Sequence, residues 1–264
     1  MGSSRIILSL LPGIGLLDKA FEECGYCVVR GPDILWGGDI RLFTPPPGIF
    51  WGIIGGPPCQ DFSSLRRDPP TGYGLEMMNE FARCVTLANP EWWLLENVSR
   101  APNLWDVTPR IAAGYVTQRI DIDNAWFPMS TSRRLRHIQF GSKSGRLLHV
   151  TRRSVTIPDG AALASDNRSF REVCRLQGLP DDFDLPPFLA TEKIRAVGNG
   201  VPLPMGRAIA RAVTVAYSGV THQAKRRCAC GCGRWVTGKK TYYDYACRKR
   251  AQRKRDQTRG NHSG

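Results

Sequence analysis

Cys59 lies in the run Gly55-Gly56-Pro57-Pro58-Cys59-Gln60-Asp61-Phe62-Ser63, directly after the apolar stretch Trp51–Ile54. A thiol is a strong nucleophile even when little of it is ionised, and cationic neighbours raise the ionised fraction. Two glycines and two prolines give this loop an irregular backbone. Open α/β sheets bind ligands in such loops, beyond the carboxyl ends of their strands. A buried packing cysteine is the competing reading. Glu96, in Glu96-Asn97-Val98, closes the apolar stretch Trp92–Leu95. A carboxyl held against apolar neighbours has a raised pKa and can work as an acid, although a surface or capping glutamate has the same local sequence. Leu10-Leu11-Pro12-Gly13-Ile14-Gly15 follows the opening apolar run. Its glycines allow close approach of backbone to a ligand at the start of a helix. It is only G-x-G, because Leu16, Leu17 and Asp18 come next, and an ordinary tight turn fits equally well. Downstream, Asp33 and Asp39 are carboxylates of the kind that hold ribose hydroxyls or an adenine amine.

A different chemistry stands at the other end. Cys228, Cys230 and Cys232 alternate with Ala229 and Gly231, and fourteen residues separate Cys232 from Cys247. Four thiols in a short basic segment suit an all-cysteine zinc site, which would supply the folding energy so small a piece lacks. Loose thiols on a disordered tail are the alternative. The segment resembles small zinc-ribbon-like tails that close on Cys-Arg-x-Arg-Ala, here Cys247-Arg248-Lys249-Arg250-Ala251. Tyr242, Tyr243 and Tyr245 stand where such tails often carry another cysteine, and His222 is an alternative ligand.

The charge is uneven. The 264 residues carry a net +14, yet residues 221–264 alone hold 13 lysines and arginines against 2 acids. That density points to a polyanionic partner, with Lys249 to Arg255 contacting phosphates, against the plainer reading of a solubilising tail. Hydrophobic residues at 42% and charged residues at 23% are ordinary globular usage. No apolar run reaches bilayer length, and the N-terminal patch is too short for a signal peptide. Nine cysteines is an odd count, which argues for reduced thiols in a cytoplasm rather than a disulfide scaffold.

The elements that must position these residues alternate in type. Strands are expected at Ile6–Leu10, Tyr26–Val29, Trp51–Ile54, Trp92–Leu95, Tyr115–Ile122 and Leu135–Phe140. Helical patterns cover 14–24, 75–88, 168–177 and 202–217, and a linker near 218–227 leads into the tail. Strand–helix alternation predicts an α/β domain with a parallel sheet and crossovers.

Taken together and in order, these motifs resemble the cytosine-5 DNA methyltransferase family over nearly all of residues 5–217. Leu10–Gly15 is similar to the methyl-donor loop, Gly38-Asp39-Ile40 to the adenine-contacting motif and Gly56–Ser63 to the nucleophile loop. Pro90–Val98 is similar to the strand ending in Glu-Asn-Val, and Ser132-Arg133-Arg134-Leu135-Arg136 to a Gln-x-Arg-x-Arg motif. Arg168–Phe183 resembles the motif supporting the recognition domain, and Gly198-Asn199-Gly200-Val201-Pro202 the motif that returns to the donor site.

The resemblance implies a Rossmann-type S-adenosylmethionine-dependent catalytic domain acting on double-stranded DNA as a monomer. Cys59 would be the nucleophile at cytosine carbon 6, Glu96 the partner of ring nitrogen 3, Arg136 the holder of the ring oxygen and Arg134 its support. The donor would meet Leu11, Gly13, Ile14, Gly15, Asp33, Asp39, Ile40, Pro58, Met77, Asn199 and Val201, and Zn2+ would meet Cys228, Cys230, Cys232 and Cys247. The implied segments are 1–141 with the cofactor and nucleophile motifs, a reduced recognition region at 142–167, and 168–217 packing back. The linker 218–227 and the Cys-rich basic tail 228–264 complete the chain. A bacterial or phage-infected cytoplasm suits it. Two departures stand out: Leu11 replaces the usual phenylalanine, and Ser132 the usual glutamine. The alternatives are methyl transfer to RNA, a non-catalytic nucleic-acid-binding protein on the same scaffold, and a dinucleotide-dependent oxidoreductase, the last weakened by the incomplete glycine pattern.

Overall fold

The computed structural model describes residues 6–64, 66–153, 160–218, 226–230, 232, 235–236, 241–242 and 244–260. Most of the expected linker, with His222, lies outside the described residues, as does Tyr243. The chain divides into two compact units, residues 1–217 and 218–264.

In the first unit the strands are β1 (Ile6–Leu10), β2 (Cys27–Arg30), β3 (Gly52–Gly55), β4 (Trp92–Asn97), β5 (Val116–Asp123) and β6 (Leu135–Ser142). The helices are α1 (Leu16–Glu22), α2 (Tyr73–Ala88), α3 (Leu104–Val107), α4 (Phe170–Leu176), α5 (Ala190–Asn199) and α6 (Leu203–Tyr217). The strands form one sheet in the order β2-β1-β3-β4-β6-β5. β2, β1, β3 and β4 run parallel to one another, whereas β6 is antiparallel to both β4 and β5.

The central strands read as continuous apolar runs because both faces are covered. Ile7, Ile54, Trp92 and Leu94 face one core with α1 and α6, and Leu8, Leu10, Ile53, Trp93 and Leu95 face the other with α2. On α2 the buried residues Met77, Met78, Phe81, Ala82, Val85 and Ala88 recur at helical spacing, which fixes its inward face.

Two findings differ from the sequence expectation. The sheet is mixed rather than parallel. β4 leads to the far edge strand β5, and the chain returns into the gap as β6. Alternation of side chains has the same period in either direction, so it carries no information on strand sense, and an antiparallel return needs no helical crossover. Helices α3 and α5 also fall outside the expected helical patterns. Leu189 at the N-cap of α5 offers no side-chain acceptor. The end is held instead by Glu192, whose Oε2 accepts from the Leu189 N–H at 2.9 Å.

Trp92 and Trp93 dictate where glycine must stand on the neighbouring strands. Gly52 pairs with Trp92 across β3–β4, and Gly141 pairs with Trp93 across β4–β6. A Cβ at Gly52 would lie 2.2 Å from the Trp92 ring, and one at Gly141 would lie 2.3 Å from the Trp93 ring. Overpacking of this kind costs about 1–3 kcal/mol or more. Gly52→Ala and Gly141→Ala should therefore each lower the urea midpoint of the first unit, and an unchanged midpoint for either would contradict the packing described.

Candidate active site

The thiol loop leaves the carboxyl end of β3. Cys59 has φ −96° and ψ −3°, and its carbonyl accepts from the Phe62 N–H at 3.0 Å, closing a tight turn. Two side chains hold this loop from outside. Asn97 Nδ2, on β4, donates to the Pro57 carbonyl at 3.2 Å. The Asp61 carboxylate accepts from the backbone N–H groups of Thr71 (3.0 Å) and Gly74 (2.9 Å) and pairs with Arg66 at 2.9 Å. These bonds hold its carboxyl below the usual range and tie the loop to the start of α2.

β3 and β4 run in register, with Gly55 opposite Leu95, so Glu96 falls beside the loop, and a Cβ on Gly56 would lie 3.6 Å from Glu96 Oε2. Opposite Glu96 on β6 is Ile138. Arg136 is two residues away on the same face, within diagonal reach of a long side chain. Its Nε meets Glu96 Oε1 at 2.9 Å. Glu96 is 8% exposed. Burial raises its pKa, with Arg136 and then Arg134 opposing. Burial also raises the Cys59 thiol; Arg136 opposes that rise, Glu96 adds to it, and Arg134 opposes it more weakly.

Arg134 is 6% exposed and serves the backbone. It donates to the carbonyls of Ala162 and Gly198, the latter at 2.7 Å. Burial, with Arg136 nearby, lowers its pKa to about 9. Ser132 donates its hydroxyl to the Leu176 carbonyl at 2.8 Å, tying this segment to the end of α4. Gln177 acts from the same side. Its Nε2 donates to the carbonyls of Val197 (2.6 Å) and Gly200 (2.9 Å), and its own carbonyl accepts from Leu203 N at 2.8 Å. The turn between α5 and α6, with Asn199 and Val201, is thus fixed against the sheet.

Cys59, Glu96 and Arg136 border one cavity of about 630 Å3. Of the residues singled out from sequence, its wall contains Leu11, Gly13, Ile14, Asp33, Pro58, Cys59, Glu96, Arg136, Asn199 and Val201. It does not contain Gly15, Asp39, Ile40, Met77 or Arg134. Ile40 and Met77 are each 1% exposed and pack with Leu11 in the core below. Asp39 is engaged by Arg41, with Nη2 at 2.7 Å. Gly15, with φ +77°, caps α1.

Sequence reasoning missed the Ile34–Leu35 and Phe188–Arg195 parts of the wall and the roles of Asn97, Asp61 and Gln177. The Glu96-Asn97 pair was visible as a motif, but a side chain's backbone partner forty residues away has no local signal.

The wall suits a small organic cofactor. Leu11 (φ 54°) and Gly13 (φ 57°) turn the backbone into the left-handed region, and a Cβ on Gly13 would meet nothing within 4 Å, so the backbone there is open to a ligand. Asp33 braces this loop, accepting from Gly13 N at 2.7 Å and from Leu35 N at 2.8 Å. Leu11, Ile14, Ile34 and Val201 supply apolar surface, and a cavity of this volume is in the usual range for cofactors.

In the second unit, β7 (Arg226–Arg227) pairs with β8 (Trp235–Val236), and α7 spans Tyr245–Gly260. The sulfur atoms of Cys228, Cys230, Cys232 and Cys247 lie within 4.8 Å of one another, and no disulfide joins any of the nine cysteines. The four thiols could hold a metal ion.

The profile of the family described as C-5 cytosine-specific DNA methylase matches residues 37–104 and 111–214. The chain is 50% identical over 50 residues to the Type II methyltransferase M.HgiDI of Herpetosiphon aurantiacus, covering 19% of this chain and 16% of that protein. It is 32% identical over 115 residues to the Type II methyltransferase M.NgoPII of Neisseria gonorrhoeae, covering 35% of this chain and 33% of that protein. The chain therefore spans well under two thirds of the curated relatives it matches. Among solved structures, a DNA modification methyltransferase encoded within an E. coli prophage superposes with a TM-score of 0.60 at 15% identity, covering 81% of this chain and 100% of that one. The fold is the same.

The site's electrostatics predict opposite shifts in thiol reactivity. Arg136→Met removes the cation that holds the Cys59 thiol down, so its alkylation profile should move to higher pH. Glu96→Gln removes the anion that pushes it up, and the profile should move to lower pH. Iodoacetamide labelling across pH, read on the Cys59 peptide by mass spectrometry, checks both, and shifts in one common direction would contradict the arrangement.

Proposed function

Because this chain belongs to the C-5 cytosine-specific DNA methylase family, we propose that it methylates carbon 5 of cytosine in double-stranded DNA, acting as a monomer with S-adenosylmethionine as donor. The observation that carries this reading is the convergence of Cys59, Glu96 and Arg136 on a single cavity wall that also holds the donor-loop residues. When bound, S-adenosylmethionine supplies an electrophilic methyl group. Leu11, Gly13, Ile14, Asp33, Pro58, Asn199 and Val201 would hold it; Gly15, Asp39, Ile40 and Met77 would support that wall from behind.

Cytosine carbon 5 is a weak nucleophile, and the protein's task is to change that. The Cys59 thiolate adds to carbon 6, forming a carbon–sulfur bond. Burial favours the protonated form of Glu96, and its carboxyl shares a proton with ring nitrogen 3 as the ring accepts the electron pair. Arg136 holds the ring oxygen at position 2 and, through its bond to Glu96, the carboxyl itself. Arg134 positions this strand and the Gly198 turn without entering the cavity. The ring thus becomes enamine-like, with carbon 5 nucleophilic. After methylation carbon 5 loses its proton to water, the carbon–sulfur bond breaks, and Cys59 departs with that electron pair. The target atom is unreachable in a stacked duplex, so the cytosine must be flipped into the cavity. The bacterial sources of the relatives favour action in a bacterial or phage-infected cytoplasm.

Transfer of labelled methyl from S-adenosylmethionine to unmethylated duplex DNA tests the reading. Wild type should label cytosine carbon 5, Cys59→Ala should give background, and Glu96→Gln should fall by about 10²–10⁴-fold, the range for a lost general acid. Label on RNA in preference to DNA would replace the substrate; label on neither would leave a non-catalytic binding protein.

Specificity should be low. Only residues 143–169 lie between β6 and α4, a short span for reading several base pairs in the major groove. Methylome sequencing after expression should show a short or relaxed target, and a strict site of six or more bases would refute this.

A further inference from the structure

The described residues of the second unit show little core of their own. Among its described residues the buried cluster is Cys228, Cys230, Cys247 and Ala251, with Cys232 and Tyr242 partly buried against it. Sulfur atoms therefore occupy the place where a domain normally puts aliphatic side chains, and units this small rarely fold without a staple. The sulfurs are spaced for a shared ion. Cys228 and Cys230 lie 3.4 Å apart, and Cys232 and Cys247 3.7 Å apart. Tetrahedral zinc with Zn–S bonds of about 2.3 Å sets its sulfurs ~3.8 Å apart. A disulfide would need about 2.05 Å.

The fourth sulfur belongs to α7 itself. Asp244 Oδ1 accepts from Cys247 N at 2.7 Å, an N-cap that places Cys247 at the third position of the helix. Cys247 and Ala251, one turn apart, form its inward stripe; Arg248, Lys249, Arg250 and Arg253 are exposed. An ion at the cysteines would anchor the only buried stripe described on this helix and leave its cationic sides outward.

We propose that Cys228, Cys230, Cys232 and Cys247 bind one zinc ion through four thiolates, and that this ion fixes α7 as a basic arm for the phosphate backbone of duplex DNA. Charge complementarity selects the partner: 13 basic residues against 2 acidic ones in 221–264 match a polyphosphate. The choice of DNA among polyphosphates rests on the methyltransferase reading. Phosphate contacts supply affinity without sequence information, which the short recognition segment makes necessary.

The test uses the full chain. Elemental analysis should find one zinc per chain, and cobalt in its place should show thiolate charge-transfer and tetrahedral d–d bands. Both should vanish in Cys230→Ser/Cys247→Ser. No bound metal in wild type, or metal retained in that variant, overturns the site. Binding to a labelled unmethylated duplex, followed by anisotropy across salt without methyl donor, tests the arm. Arg248→Ala/Lys249→Ala/Arg253→Ala keeps all four cysteines and should keep the zinc. Its slope of log affinity against log salt should be shallower by roughly 0.9 for each phosphate it no longer neutralises. Chelation of wild type should weaken binding as well. An unchanged slope in the triple variant, or a preference for RNA of equal length, overturns the DNA arm. Methyl transfer is read separately, so a chain that holds zinc and DNA but transfers no methyl refutes the enzymatic reading and leaves this one standing.

Discussion

The ion pair between Arg136 and Glu96 joins the parallel and antiparallel parts of the sheet at one desolvated point. Burying two charges is costly, and such a pair adds little to stability compared with apolar packing. Its value lies in the balance it sets at the Cys59 loop. Burial raises both the Glu96 carboxyl and the Cys59 thiol, and Arg136 opposes both rises. The antiparallel sense of β6 is what makes the meeting possible. Its first residues come to the carboxyl end of β4, where a parallel strand would have brought its last.

Around that point the structure directs its buried polar groups to backbone. Asn97 holds Pro57, Asp61 holds Thr71 and Gly74, Arg134 holds Gly198, and Gln177 holds Val197 and Gly200. Each ties a loop bearing a cavity residue to a strand or helix that cannot move without disturbing the core. Buried carbonyls need donors, and here the donors come from the motifs flanking the site. Arg134 shows the consequence. Expected from the resemblance to support the Arg136 site, it has its guanidinium on two carbonyls, one of them that of Gly198.

The two units solve different problems. The first buries two apolar layers against one sheet. The described buried cluster of the second is built mainly of cysteines. The two compact units are thus organised differently, one around apolar packing and the other, among its described residues, around thiols.

Much of this was legible before any coordinates. Apolar runs and helical spacing located the six strands and most helices of the first unit, most clearly the central strands, where burial on both faces marks nearly every residue. Ordered short motifs singled out Cys59, Glu96, Arg136 and the donor loop, because loops that carry chemistry concentrate unusual residues. Strand sense was not legible, since period-two alternation is identical in both directions, and α5 was hidden by an N-cap with no side-chain acceptor. Sequence resemblance assigned Arg136 to the ring and Arg134 to its support, but not the partners of either: Arg136 meets Glu96 on β4, and the packing of 160–202 brings the Ala162 and Gly198 carbonyls to Arg134. The types of residue available were set by the chain itself. Which of them share a cavity was decided by tertiary contacts spanning tens to more than a hundred residues, whose energies no local segment contains.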